Sequence, residues 1–361
     1  MNGGRDRSMD AVERMKHPIF FKENRVWRVY SGGKLLGDFV GKPAEDDFYP
    51  EEWIASAVSA LNKDSTDPRE GLSVIEGTDL TLKELIDTYP AQMLGTARNL
   101  GVLVKFLDSA VRLPVQVHPD HAFSRKYLNS EFGKAEMWIV LATRGDACIH
   151  FGFREQMDEK RLTQSVERSY ENKEEMSALL NRYPVKSGDV FFIPGKMVHA
   201  IGQGCLILEI QEPTDFTIQP EFWCGDYLLS DSEMYLDLGR ETALKCFDYD
   251  IYGEACEELA RRTPVVIWER DGVRKESIIT EEDTGCFCVE RYSVSEGKVL
   301  LDAAPAIYVV TKGEGKVTGD GYSRMVRQGD YFFLPYQAKG AFRAETDGSL
   351  EIVECLPPAA E

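Results

Sequence analysis

The chain has 361 residues, of which 43% are hydrophobic, and its 61 acidic against 42 basic residues give a formal net charge of −19. This length suits two or three domains with ordinary cores, and an acidic chain without a basic run is not a nucleic-acid binder. The N-terminus is polar and no apolar run approaches the roughly eighteen residues of a membrane span, so we expect a cytoplasmic protein with no membrane partner.

Helix-like and strand-like patterns alternate in the first third of the chain. The apolar spacing of residues 50–62 predicts a helix. A short helix is expected over 81–90, because Thr81 is a good N-cap and Glu84 follows at the capping-box spacing. The alternation of Val, Leu and Phe over 102–117 predicts strands.

Two polar stretches interrupt the strands further along. Residues 154–183 are rich in Glu, Lys, Arg and Gln with Leu and Met at intervals, which is typical of a helical insertion. A second mixed stretch, 228–262, is also expected to be helical. After Pro264 the chain returns to short strands separated by Gly and charged turns.

An internal repeat is the most informative feature of the sequence. VKSGDVFFIP at 185–194 returns as VRQGDYFFLP at 326–335, which keeps the valine, the Gly-Asp pair, both phenylalanines, an aliphatic residue and the proline. Each copy predicts a turn that leads into a strand of a small β-barrel. The first copy continues to His199, whereas the segment after the second contains no histidine. Only the first barrel is therefore expected to hold a metal through such ligands.

The repeat is similar to the second conserved motif of the cupin superfamily. This resemblance implies a mainly β fold with two cupin barrels (double-stranded β-helices, or jelly rolls) and helical insertions. The predicted organisation is an N-terminal part of the catalytic cupin with short helical segments (1–150), a helical insertion (151–184), the C-terminal strands of the metal-binding cupin (185–227), a mixed helical connection (228–263) and a degenerate C-terminal cupin (264–361).

Four residues form a candidate metal site. Period-two alternation in LPVQVHPDHAF places Gln116 and His118 on one face of a strand, Glu136 begins the next predicted strand, and His199 follows the repeat. Two imidazoles, a carboxylate and an amide oxygen suit zinc with a position open for water or substrate. Manganese, iron or cobalt would also accept these ligands.

Three ordered stretches, PVQVHPD, GKAEMW and IPGKMVHAIGQGCLILEIQEPTD, resemble the signatures of type I mannose-6-phosphate isomerases. The resemblance covers roughly residues 17–228 and implies one zinc per chain, held by the four residues named above. It further implies reversible interconversion of mannose 6-phosphate and fructose 6-phosphate through an enediol(ate), so that the partner is a small sugar phosphate. We expect a monomer or a homodimer.

The catalytic residues are predicted partly from the same resemblance. Lys105 in the KF segment and Lys134 beside Glu136 match lysines of the family and would supply positive charge for a phosphate or an enediolate. For the proton carrier the sequence offers Asp215 in EPTDFTIQ and, again, Lys134. His17 and His150 have no evident partner and are expected to be structural.

Two positions depart from the family pattern. Gln219 stands where the family usually has an arginine, and glutamine supplies neither its cation nor its fork of donors. Either Arg240 or Arg112 fills that role, or phosphate binding is weak, or the substrate differs. His121 stands where the family commonly has an acidic residue, either as an exposed residue or as support for the metal ligands.

Two other classes of function remain open at this stage. One is a non-catalytic cupin that binds metal and a sugar or sugar phosphate, which the glutamine at position 219 favours. The other is a cupin oxygenase. Such an enzyme usually binds iron through a facial triad with open positions, and the four-ligand set found here suits that chemistry less well.

Overall fold

A computed structural model describes residues 12–63 and 65–357, and over these ranges the chain is mainly β, with antiparallel strand pairing throughout its sheets. The predicted mainly β class is confirmed. The division into two barrels and the bounds of the five predicted segments stay predictions.

The strands, numbered in chain order, are β1 (Arg25–Val26), β2 (Glu51–Ile54), β3 (Leu103–Ser109), β4 (Glu136–Thr143), β5 (Cys148–Phe153), β6 (Leu180–Pro184), β7 (Val190–Ile193), β8 (His199–Ile201), β9 (Cys205–Gln211), β10 (Trp223–Cys224), β11 (Tyr227–Leu228), β12 (Arg261–Arg262), β13 (Val265–Arg270), β14 (Val273–Ile279), β15 (Cys288–Leu300), β16 (Ala306–Gly319), β17 (Tyr322–Arg327), β18 (Tyr331–Leu334) and β19 (Arg343–Leu356). The helices are α1 (Lys34–Val40), α2 (Leu82–Thr88), α3 (Pro90–Leu94), α4 (His121–Tyr127), α5 (Glu159–Arg168), α6 (Asp231–Tyr235), α7 (Arg240–Ala243) and α8 (Ala255–Ala260).

The strands form two large sheets of similar topology. The first sheet has the order β1-β2-β3-β9-β4-β7-β12, and the small sheet β6-β5-β8 accompanies it. The second sheet has the order β13-β14-β15-β19-β16-β17, with β18 also paired to β16. In the first sheet β9 lies between β3 and β4, and in the second β19 lies between β15 and β16. The strand that contains the repeat, β7 or β18, pairs with β4 or β16 respectively.

The two copies of the sequence repeat make the same turn. Gly188 and Gly329 have φ values of 93° and 91°, a conformation that glycine adopts without steric cost. The amide of Gly188 donates to the carbonyl of Val140 at 2.8 Å, and that of Gly329 to the carbonyl of Val310 at 2.9 Å. The turn and the following strand that the repeat predicts are therefore present in both sheets, where β7 pairs with β4 and β12, and β18 pairs with β16.

Strand register extends this correspondence beyond the repeat. Trp138 lies opposite Phe191 in the first sheet, as Tyr308 lies opposite Phe332 in the second. Two residues earlier, Glu136 lies opposite Ile193 and Ala306 opposite Leu334. By this register, Ala306 of the second sheet occupies the position that Glu136, the candidate carboxylate ligand, has in the first.

The three largest hydrophobic clusters of the described residues organise the packing. One lies within the first sheet and its attached helices, another within the second sheet. The third is shared: Phe106 and Leu208 of the first sheet pack in one cluster with Ile307 and Val353 of the second. Within the part of the chain that the structure describes, no helix has the length and apolar character needed to cross a bilayer.

The two short helices expected near the N-terminus have different outcomes. Helix α2 begins after Thr81, whose hydroxyl accepts the Glu84 amide while the Glu84 carboxylate accepts the Thr81 amide, so the capping box is confirmed. The helix expected over 50–62 is wrong, because β2 forms there instead. β2 lies between β1 and β3 and buries all four of its residues, so it lacks the alternation that identifies a half-exposed strand.

Candidate metal centre and cavity

Three of the predicted ligands meet where the first sheet and the small sheet β6-β5-β8 approach each other. Glu136 begins β4, His199 begins β8, and His118 follows a backbone bridge in which Gln116 and His199 exchange two hydrogen bonds of 2.9 Å. The ligand atoms of His118, Glu136 and His199 all lie within 4.8 Å of one another, and the three side chains are buried. Residues from three separate segments therefore converge on one point.

The imidazoles are oriented as metal ligands. His118 Nδ1 is 2.9 Å from the carbonyl of Phe216, and His199 Nδ1 is 2.8 Å from the carbonyl of Met197, so each Nδ1–H donates to backbone. The two Nε2 atoms then face each other at 3.1 Å, with their lone pairs directed at the same space. Backbone partners of this kind fix the tautomer of histidines that bind metals. Two opposed imidazole nitrogens beside a carboxylate are a donor set that a divalent cation fits.

Glu136 is held as a carboxylate. Its Oε1 lies 3.0 Å from His118 Nε2 and 3.0 Å from Lys134 Nζ, and the indole of Trp138 donates to Oε2 at 3.1 Å. Burial alone would raise the pKa of Glu136, but His118 and Lys134 outweigh it and hold the pKa well below its usual range. The group therefore keeps an anionic ligand even in a buried position.

Glu136 borders a cavity of about 390 Å³, whose wall also includes Gln116 and Lys134. This volume is in the range of sites for small molecules. Gln116 thus lines the same cavity as the carboxylate of Glu136, and its role as a fourth ligand stays a prediction. A metal held by these residues would be accessible from the cavity.

All three predicted catalytic residues line this cavity. Lys134 Nζ lies 3.3 Å from His118 Nε2 and 3.3 Å from the hydroxyl of Thr217, so it contacts the metal group directly. Asp215 faces the cavity, but its two oxygens are each 3.2 Å from Arg28 Nη2. Lys134 is therefore the predicted catalytic residue nearest the ligands, while the carboxylate of Asp215 is engaged by a cation.

Lys105, on β3, is enclosed by carboxylates from both neighbouring strands. Its Nζ lies 3.7 Å from Glu51 on β2 and 3.7 Å from Glu209 on β9, and 5.2 Å from the ring centre of Trp53. Burial would lower the pKa of Lys105, but the two carboxylates raise it. Burial and the nearby Glu136 raise the pKa of Glu209 to about 8, against the attraction of Lys105. Lys105 is thus a charged residue in the cavity wall.

Arg28 is the cavity residue that sequence reasoning missed. Its Nε lies 3.1 Å from Glu51, its Nη2 binds Asp215, and its Nη1 donates to Asn62 at 2.9 Å. The guanidinium is 11% exposed and lies 5.1 Å from the ring centre of Trp53. No motif around Arg28 marks it, because its partner Asp215 is 187 residues away. Arg28 joins the segment at 61–63 to the segment that contains Asp215.

The cations expected to replace the missing family arginine lie elsewhere. Arg112 makes two hydrogen bonds to Glu221, at 2.6 and 3.0 Å, and Arg240 pairs with Glu167 at 3.1 Å; neither lines the cavity. Gln219 does line it, and its side chain donates to the carbonyl of Glu233 at 3.1 Å. The basic residues in the described part of the cavity wall are Arg28, Lys63, Lys105 and Lys134.

The other histidines lie apart from the metal group. His17 stacks on Tyr322 at 5.3 Å, and His150, in β5, has its Nε2 3.6 Å from Cys148 Sγ. Burial lowers the pKa of His150 to about 4. His121 pairs with Glu212 at 2.6 Å, so its departure from the family pattern brings a defined contact.

Comparison with known proteins places the chain among isomerases. No model of a known protein family matches it. Mannose-6-phosphate isomerase ManA of Bacillus subtilis (strain 168) is 31% identical over 342 residues, which cover 91% of this chain and 96% of the relative. The crystal structure of the mannose 6-phosphate isomerase from Bacillus subtilis matches with a TM-score of 0.73 at 22% identity, over 94% of this chain and 99% of the other. A structure of mannose 6-phosphate isomerase bound with zinc and yttrium matches with a TM-score of 0.69 at 16% identity, over 95% and 100%.

Proposed function

The chain belongs to the mannose-6-phosphate isomerase family, and from this premise we propose that it interconverts mannose 6-phosphate and fructose 6-phosphate in the cavity above its His-Glu-His group. The observation that carries the proposal is the pair of His Nε2 atoms 3.1 Å apart beside Glu136, which itself lines a 390 Å³ cavity. A sugar-binding protein would need a cavity, but it would not need two histidines and an ionised glutamate arranged as metal ligands beside it. The cytoplasmic location and the monomeric or dimeric state stay predictions.

The metal ligands are proposed to be Gln116, His118, Glu136 and His199, with zinc as the metal. Imidazole, carboxylate and amide oxygen are ligands that zinc accepts, and a structural neighbour is bound with zinc and yttrium. When bound, the metal would polarise the substrate oxygens. Trp138, which donates to Glu136, and the carbonyls of Phe216 and Met197 fix the orientation of the ligands.

Lys134 is proposed to act on the reacting carbons. The isomerisation moves a proton between C2 and C1 of the sugar, and Lys134 lies within 3.3 Å of two ligands while its side chain lines the cavity. It is therefore placed to contact a substrate oxygen or carbon at the metal. Lys134→Gln should retain its metal but lose exchange of the C2 hydrogen with solvent. Retained exchange in a folded, metal-loaded variant would remove Lys134 from this role.

Phosphate binding is proposed to use the basic wall at 61–63 in place of the family arginine. Lys63 is exposed and lines the cavity, and Arg28 anchors the same segment through Asn62. Asp215 also accepts the amide of Leu61 at 2.8 Å, so Asp215 serves here as a positioning residue. Lys63→Gln should raise KM for mannose 6-phosphate several-fold with little change in kcat, because one exposed cation contributes mainly to binding.

The first test is a coupled assay of fructose 6-phosphate formation from mannose 6-phosphate. The protein is assayed as isolated, after chelation and after zinc is restored, with metal content measured in each sample. Activity that disappears and returns with the metal supports the isomerase. A chain that retains one metal without turnover would instead support a non-catalytic sugar-binding protein.

A further inference from the structure

A second group of metal-ligand side chains lies outside the cavity, where the two large sheets meet. His121 begins α4, Glu212 follows β9, and Cys286 precedes β15 in the C-terminal part of the chain. The imidazole nitrogen, a carboxylate oxygen and the thiol sulfur all lie within 4.8 Å of one another. We propose that His121, Glu212 and Cys286 form a second metal site, which takes a zinc-like divalent cation and clips the C-terminal part of the chain to the first sheet.

The carboxylate is rigidly held in advance of any metal. Glu212 is buried, and its Oε1 and Oε2 accept the amides of Ala135 and Gly133, each at 3.0 Å. A carboxylate has about four lone-pair sites, so both oxygens keep capacity after these bonds. Since the donors are backbone amides, the position of this ligand is fixed by the fold.

The other two ligands have suitable spacing and access. Cys286 Sγ lies 3.7 Å from His121 Nε2, close to the roughly 3.3–3.8 Å that separates ligands around tetrahedral zinc with bonds of about 2.0–2.3 Å. His121 Nε2 is 2.6 Å from Glu212, so this pair must open by less than about 1 Å. The imidazole is 45% exposed and can turn to do so, and its exposure leaves room for a water as the fourth ligand.

Sulfur distinguishes this site chemically from the first. A thiolate favours zinc, cadmium or cobalt over magnesium or manganese, whereas the ligands of the cavity site are nitrogen and oxygen only. On binding, the metal replaces the proton of Cys286, which passes to solvent. A thiolate-to-metal charge-transfer band therefore reports the second site alone.

The experiment titrates the metal-free full chain with Cd²⁺ and Co²⁺ while metal content and the charge-transfer band are followed. The wild type should bind a second equivalent with a thiolate band. Cys286→Ser and His121→Ala should lose that band and that equivalent while isomerase activity remains. Cys288→Ser is the matched control, since Cys288 is a partly exposed cysteine two residues away, and it should keep both.

The test uses the wild type and several variants, so a single variant that fails to fold does not decide it. Glu136→Gln should lose the cavity metal and keep the thiolate band, which separates this proposal from the proposed function. A wild type that binds a single equivalent without a thiolate band, or a band that persists in Cys286→Ser, would overturn the second site and leave a hydrogen-bonded His-Glu pair beside a thiol.

Discussion

The first and second sheets share topology, turns and register, yet they differ in the side chains at corresponding positions. Glu136 of the first sheet corresponds to Ala306 of the second, and Lys105, opposite Glu209, corresponds to Glu290, opposite Glu354. The second sheet thus has neither the ligand nor the lysine at these two positions, while its buried glutamate remains and Lys275 of β14 lies 3.7 Å from it. The comparison teaches that this scaffold does not by itself create the chemistry, which depends on a few substitutions on an unchanged backbone pattern.

Glu209 and Glu354, the glutamates at corresponding positions of the two sheets, lie in different environments. Glu209 lines the cavity beside Lys105, whereas Glu354 is fully buried and accepts the hydroxyl of Tyr308 at 2.5 Å. Burial raises the pKa of both to about 8. In the first sheet the glutamate belongs to a charged cavity wall, and in the second it is part of the packed interior.

The largest effect is expected from removing the ligand that the second sheet lacks. Glu136→Gln replaces the anionic ligand with a neutral amide, so bound metal should be lost and kcat/KM should fall at least about a hundredfold. Metal analysis and the coupled assay measure both. Glu354→Gln, the same substitution at a buried glutamate of the second sheet, is the control and should keep metal and activity. Equal behaviour of the two variants would contradict the contrast between the sheets.

The second prediction concerns Arg28, a cavity residue that no sequence motif identifies. Arg28→Gln leaves Asp215 without its cation and Glu51 with Lys105 alone, and breaking a buried pair costs about 3–5 kcal/mol. We expect a lower Tm and a kcat/KM reduced about tenfold or more, because the cavity wall loses its anchor. Arg28→Lys should be intermediate, since lysine keeps the charge but not the fork.

A matched control for Arg28 lies on β1. Arg25 pairs with Glu52 at 3.2 Å, and neither residue lines the cavity. Arg25→Gln should therefore lower stability without a comparable loss of kcat/KM. If both arginine variants reduce kcat/KM in proportion to their loss of stability, Arg28 has only a structural role.

Much of the fold and of the candidate site could be predicted from the sequence, and the features that could not be predicted have identifiable physical reasons. The repeat predicted both turns and the strands that follow them. Alternation around Gln116 and the position of His199 after the first copy assigned these two residues to one site, and a backbone bridge joins them. Arg28 could not be predicted, because its role depends on a side-chain contact between two loop residues that are 187 positions apart. β2 was mistaken for a helix because both of its faces are buried, which removes the period-two signal.

The third prediction tests the second sheet by pH. Burial raises the pKa of Glu354 to about 8, although Tyr308 and Lys275 oppose the shift and Glu290 adds to it. Between the ordinary value of 4.5 and about 8 the unfolded chain releases this proton while the folded chain keeps it, so Glu354 makes the fold less stable as pH rises. Glu354→Gln removes this dependence.

The gain of Glu354→Gln relative to wild type should therefore grow from pH 5 to pH 8, by at most about 1.4 kcal/mol for each pH unit. Urea unfolding at both pH values measures it. A difference between the two proteins that is the same at pH 5 and pH 8 would show that Glu354 does not hold its proton in the folded state. Activity is expected to be unaffected, in contrast to Glu136→Gln.

The smallest effect is expected at Gln219, where the family usually has an arginine. Arg28 and Lys63 already place positive charge in this cavity, so Gln219→Arg should change kcat/KM by less than about threefold. In the Arg28→Gln background the same substitution should recover part of the lost activity, because the new guanidinium would supply a cation to the same cavity. A large gain in the otherwise unchanged chain would show instead that the cavity lacks a phosphate-binding cation. Steady-state kinetics of the single and double variants with mannose 6-phosphate distinguish these outcomes, since only compensation makes the effect of Gln219→Arg depend on Arg28.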